Sequence, residues 1–254
     1  MYQCIKPQNM FKRSAVIRQD GWLGVKVNRT QFALDRTRQV APQILEILRS
    51  RILSMDLTPT TVLSRIALQS EFNVSQTPVR DALIRLEEEG LVEVYPQYAT
   101  VVAKIDIDHA AQAHFLRLSI ELEAVRRLTL ESPAETAQVL ERILRQQEAV
   151  ASPDQFDHFD SFDRDFHRAL FERSGILGLW ATVRRLSVHL DRLRRLNLPM
   201  PGKLETVLAD HRAIVEAVRS AEPERAVAAM RKHLSGTLSI IDLICEQYPD
   251  FVQR

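Results

Sequence analysis

The stretch Asn73-Val74-Ser75-Gln76-Thr77-Pro78-Val79-Arg80-Asp81-Ala82-Leu83-Ile84-Arg85-Leu86-Glu87-Glu88-Glu89-Gly90-Leu91-Val92 decides the fold. Ser75 is placed to N-cap a helix, and Pro78 then falls in the first turn, where its missing N–H costs nothing. Val79, Ala82, Leu83 and Leu86 recur at helical spacing on one side, which leaves Gln76, Thr77, Arg80, Ile84 and Arg85 for other faces. The spacing predicts a helix that packs inward along its length and presents its N-terminal end outward. Gly90 suits its C-terminal cap. Beyond it, Leu91 to Tyr95 and Thr100 to Ala103 are β-rich, with Pro96-Gln97-Tyr98-Ala99 between them, the pattern of a hairpin.

Upstream, Val40, Ile44, Ile47, Leu48 and Ile52 mark an amphipathic helix over 40–53. Leu63 to Phe72 suits a second, shorter helix, and Asn73-Val74 is then a turn. The expected order is helix, helix, turn, helix, hairpin.

At these residues the chain resembles the winged helix-turn-helix domain of GntR-family bacterial transcription regulators. The recognition-helix pattern of that family is Val-Ser-x-Thr-Pro-Val-Arg-x-Ala-Leu-x-x-Leu-x-x-x-Gly-Leu-Val, and Val74 through Val92 reproduces it nearly without gaps. The resemblance implies binding to a double-stranded DNA operator, with Arg65, Ser75, Gln76, Thr77, Pro78 and Arg80 at the contact surface. Three positions depart from the family. Ile66 stands where a DNA-contacting arginine is usual, Gln76 where an arginine is common, and Tyr98-Ala99 where the wing normally has Arg-Gly. Gln76 retains the chemistry to pair bidentately with adenine, and Arg80 with guanine or phosphate.

The 254 residues, 45% hydrophobic and 26% charged, allow two domains with cores of their own. No run approaches the roughly 18 apolar residues of a membrane helix, and the N-terminus lacks the apolar core of a signal peptide. The cytoplasm is the expected location, with no membrane partner. Cys4 and Cys245 show no metal or redox spacing. The formal net charge of +1 hides an asymmetry. Residues 1–38 hold Lys6, Lys12, Arg13, Arg18, Lys26, Arg29, Arg36 and Arg38 against Asp20 and Asp35, while the remainder is neutral to acidic. That imbalance predicts a basic N-terminal arm over 1–35, ahead of a DNA-binding domain over 36–104 and a domain with another task over 105–254.

Past Ile105 amphipathic helices take over, expected near 107–131, 134–150, 154–174, 176–197, 202–221 and 223–247. Breaks fall at Ser132-Pro133, Ser152-Pro153, Ser174-Gly175, Pro199-Met200-Pro201 and Glu222-Pro223. Six helices in this length make an antiparallel bundle, so the fold class is mainly α: a winged helix-turn-helix followed by an all-α bundle. Asp163 and His167 are spaced i, i+4 and share one helical face. His211 sits amid Val207, Leu208, Ile214 and Val215, and His233 amid Ala229, Met230, Thr237 and Ile240, so both face the bundle interior.

Here the chain resembles the FCD effector domain of the FadR subfamily, of the VanR-like six-helix type. Metal-binding members take one Asp and three His from three helices, and Asp163-Arg164-Asp165-Phe166-His167, Asp210-His211 and Lys232-His233 fit that pattern position by position. The resemblance implies a divalent metal ion on Asp163, His167, His211 and His233. Imidazoles with one carboxylate suit zinc, nickel, iron or manganese, and nothing in the sequence selects among them. It further implies a small carboxylate effector, with Arg117 of the Arg117-Leu118-Ser119-Ile120-Glu121 segment clamping it. His189 and Arg192 are further effector candidates, and Arg195 a weaker one. Ile176 replaces the asparagine usual after Ser174-Gly175 and is expected to alter the pocket rim. The expectation is a homodimeric regulator and not an enzyme. Two alternatives stay open: a metal-dependent enzyme built on the same four side chains, and a metal-free acyl-CoA sensor.

Overall fold

The computed structural model describes residues 34–96 and 98–254, so most of the expected basic arm lies outside the described residues. The head is built from α1 (Val40–Leu53), β1 (Val62–Leu63), α2 (Arg65–Phe72), α3 (Gln76–Glu88), β2 (Val92–Tyr95) and β3 (Ala99–Val102). Ile44, Leu48 and Ile52 of α1 pack with Val79, Ala82, Leu83 and Leu86 of α3 in one apolar core. The strands form an antiparallel sheet in the order β1-β3-β2, with Val62 opposite Val101 and Val92 opposite Val102.

Local chemistry sets the boundaries. The second helix begins two residues later than the apolar pattern indicates, because Ser64 Oγ accepts from the Ala67 N–H at 3.3 Å and leaves Leu63 to the sheet. Asn73 closes α2 in the left-handed region, at φ 50°. Ser75 occupies the N-cap of α3, but its side chain makes no capping hydrogen bond. At the other end Gly90 takes φ 72°, its N–H donates to Glu87 O and that of Leu91 to Leu86 O, a Schellman closure that directs the chain into β2. Arg36 is tied to the helix-turn, donating to Asn73 O at 2.9 Å.

The bundle comprises α4 (Ile107–Glu131), α5 (Pro133–Ala149), α6 (Phe156–Arg173), α7 (Trp180–Leu186), α8 (Val188–Asn197), α9 (Lys203–Arg219), α10 (Pro223–Ser235) and α11 (Ile241–Gln247). Two of the six expected helices are broken. The one expected over 176–197 is a 3-10 turn at Leu177–Leu179 followed by α7 and α8, which part at Ser187, whose buried hydroxyl donates to Val183 O at 2.8 Å. The one expected over 223–247 stops at Gly236 and resumes, after a 3-10 turn at Leu238–Ile240, as α11. Phe159, Phe166, Leu170, Ile214, Val218 and Met230 centre the core.

A short parallel pair that apolar patterning does not indicate joins β4 (Ile105–Asp106) to β5 (Val252–Gln253), so the C-terminal tail clasps the linker. Helix α8 meets the head directly. Val188 belongs to the head core, Arg192 Nη2 donates to Ala103 O at 2.7 Å, and Arg195 Nε donates to Ser54 O at 3.2 Å. Among the described residues no helix is long and apolar enough to cross a membrane.

Candidate metal centre

Helix α6 carries Asp163 and His167 one turn apart, α9 brings His211 and α10 brings His233. The structure gathers one donor atom from each of these within 4.8 Å of all the others. Three imidazole Nε2 atoms converge: those of His167 and His233 lie 3.1 Å apart, and those of His211 and His233 3.2 Å. Asp163 Oδ2 is 3.6 Å from His167 Nε2, and Oδ1 is 3.7 Å from His211 Nε2. Two nitrogens each about 2.1 Å from one ion stand about 3.0–3.4 Å apart at octahedral or tetrahedral angles.

The ring orientations come from a surrounding set of partners. His211 Nδ1 is 2.8 Å from Gln147 Oε1, an acceptor, while the same amide donates weakly to Phe159 O at 3.4 Å. His167 Nδ1 is 2.6 Å from the carboxylate of Glu121. As neutral rings, both therefore donate from Nδ1 and leave Nε2 as a lone pair facing the centre. His233 has at most one neutral-state proton at Nε2 for two such neighbours. Asp163 Oδ1 is buried with no hydrogen-bond partner. Lone pairs converging beside an unmatched carboxylate oxygen fit a cation.

Electrostatics keep Asp163, His211 and His233 in ligand form. Burial opposes ionisation of Asp163, but Arg194, whose Nη2 lies 2.5 Å from Oδ2, and the three imidazoles hold its carboxyl well below the usual range. Burial likewise opposes Glu121, and Arg117 and His167 bring it to about 2. Desolvation pushes His211 down to about 3 and, aided by the neighbouring imidazoles, His233 well below its ordinary value.

The centre opens on a chamber also lined by Arg117, Arg194, Asn197, Lys203 and Thr237, with about 20 Å³ of free space, room for one ion or one water. Arg117 is one of its lining side chains. Its pair with Glu121 is buried, at 2.7 Å, and so is no solvated surface contact. His189 and Arg192 do not line the chamber. His189 Nδ1 accepts from the Asp106 N–H at 3.0 Å, and Arg192 is buried against the hairpin exit; both serve the head–bundle junction. Arg195 also turns to the head, and Ile176 is absent from the lining. Arg194 and Gln147 emerge from the structure as site residues that were not singled out for it, and Glu121, of the same segment as Arg117, also faces His167.

On the head, Arg65, Ser75, Gln76, Thr77 and Arg80 are exposed and Pro78 is half-buried. Ile66 and Tyr98 are 79% and 66% exposed. Arg65 and Ile66 lie at the start of α2, and Gln76, Thr77 and Arg80 at the start of α3, the helix end that meets base edges in the docking mode of a helix-turn-helix.

Residues 41–102 match the gntR family of bacterial regulatory proteins, and residues 112–236 match the FCD domain. An uncharacterized HTH-type transcriptional regulator in an unstable DNA locus of Streptomyces ambofaciens is 35% identical over 204 residues, covering 80% of this chain and 85% of that protein. The HTH-type transcriptional repressor RspR of Escherichia coli K12 is 30% identical, covering 86% and 96%. The solved structure of E. coli McbR/YncC shares the fold, with a TM-score of 0.67 at 20% identity over 83% of this chain and 99% of that one. The chain belongs to the GntR family of bacterial transcription regulators, a DNA-binding winged helix-turn-helix joined to an FCD effector domain.

Proposed function

We propose that this regulator holds a divalent metal ion on Asp163, His167, His211 and His233, and that a small organic acid binding beside it alters operator affinity. The observation that carries the reading is the convergence of three Nε2 atoms on a carboxylate whose Oδ1 has no partner. When bound, the ion supplies a positive centre and coordination positions for carboxylate oxygens. Arg117 adds a guanidinium able to grip a carboxylate, and Glu121 and Gln147 hold the two imidazoles in their tautomers.

The chamber is too small for an organic acid as it stands, so binding must move its walls. Helix α8 is one of those walls. Arg194 faces Asp163, whereas Arg192 and Arg195, three residues apart on another face, hold Ala103 O and Ser54 O of the head. An acid that draws Arg194 from Asp163 would shift α8 and with it the seat of the head. Switching then follows if the acid favours one seating over the other. Reading of two half-sites by a homodimer, and repression as in the E. coli relative, complete the proposal.

Operator binding by metal-loaded and metal-stripped protein, with and without a panel of organic acids, tests this directly. The expected result is an acid that changes operator affinity only in the metal-loaded protein. Affinity indifferent to both metal and acids would overturn it.

A further inference from the structure

Two polar groups in the chamber are left without a use by the metal centre. Asn197 is 2% exposed, and its Nδ2 finds no hydrogen-bond partner. Lys203, at the start of α9, directs its ammonium to Gly236 O at 3.3 Å and, among the described residues, forms no ion pair. A buried amide nitrogen left unmatched is costly, and native proteins keep few such groups without a partner that is sometimes absent.

The charges around the chamber point the same way. Of the cations that line it, Arg117 is matched by Glu121 and Arg194 by Asp163, while Asp210 pairs with Lys232, a mostly exposed side chain outside the lining, and also attracts Lys203. Lys203 feels Asp210 and Asp163 without forming an ion pair with either, and a divalent ion would add two more positive charges. One carboxylate on the ion would neutralise that excess in part and leave both Lys203 and Asn197 Nδ2 unused. A ligand with a second anionic oxygen group would use them. Resting on the metal reading above, we propose that the effector is a short dicarboxylate, its first carboxylate held by the ion and Arg117 and its second by Lys203 and Asn197.

The test is calorimetric titration of the metal-loaded full chain with straight-chain dicarboxylates of three to six carbons, each paired with its monomethyl ester. The pair keeps the length and removes one charge. At least one diacid should bind about tenfold or more tighter than its ester, the scale of one charge-assisted hydrogen bond. Lys203→Met should bring that ratio near one, and Lys203→Arg should keep most of it, with metal content unchanged in both. Equal binding of diacid and ester by the wild-type chain, binding of no diacid, or an undiminished preference in Lys203→Met would each overturn the proposal. Metal content of the same samples separates the two readings: a metal-free wild-type chain sinks the metal centre, whereas a loaded chain without diacid preference sinks only this inference.

Discussion

The head and the bundle bury polar side chains on different terms. In the head, Thr100 is the buried polar residue among those described, its hydroxyl without a partner, and the interior is otherwise aliphatic and aromatic. The bundle buries Arg117, Glu121, Gln147, Asp163, His167, Arg192, Asn197 and His211, and leaves atoms of Asp163, Arg192 and Asn197 without partners. An apolar core is complete when the chain has folded. A polar core with unmatched atoms offers a ligand a place inside it, so a ligand of the bundle would stabilise its interior, whereas DNA stabilises the head from its surface.

The largest way to break that contrast is chelation. If an ion completes the bundle, stripping it should cost about 4 kcal/mol of stability at a free metal concentration near 1,000 times Kd, and His211→Ala should melt alike with and without chelator. Equal melting of stripped and loaded wild-type protein would put the two interiors on the same terms.

A second comparison uses the junction. Burial, Arg192 and His109 hold His189 down to about 4, so the folded state keeps this ring neutral while the unfolded chain takes up a proton near 6.5. Its folded value is the lower one, so the stabilisation is whole above about 6.5 and is lost as pH falls toward 4, by about 3 kcal/mol. His189→Asn retains an acceptor for the Asp106 N–H and cannot titrate. Denaturant melts between pH 7 and 4 should therefore show a shallower acid limb in the variant, and parallel limbs would mean that His189 is not the titrating group.

On the head, Arg80→Ala should weaken operator binding by about 1–3 kcal/mol with no change in metal content. Gel-shift titration and metal analysis of one preparation check both halves, and loss of metal would show that the regions are not separable. The smallest effect belongs to Asn197→Leu, which removes an unmatched buried donor. Ligand-free stability should rise by about 1 kcal/mol while diacid binding weakens. A destabilised variant would mean that Asn197 is already satisfied.

What the sequence disclosed follows from how far each feature reaches along the chain. Helix α3, its glycine closure and the hairpin rest on spacings of a few residues, and the pattern from Val74 to Val92 located them closely. Asp163 and His167 are local in the same way, and their apolar stripes placed His211 and His233 inside. The β4–β5 pair was not legible, because two-residue strands distant in the chain have no period to detect. Gln147 and Glu121 reach their histidines across 64 and 46 residues, beyond any local rule. In the run from Arg192 to Arg195 each residue turns the helix by about 100°, so composition alone does not say which arginine faces the chamber. Arg194 does, and Arg192 and Arg195 face the head.

The central claim is that the bundle is built around an ion, and the most direct test is metal per chain in protein purified without chelator. Elemental analysis of the wild-type chain, Asp163→Ala and His233→Ala should give one divalent ion per chain in the first and close to none in the others. A wild-type chain without a divalent metal, or variants that hold as much as the wild type, would contradict it.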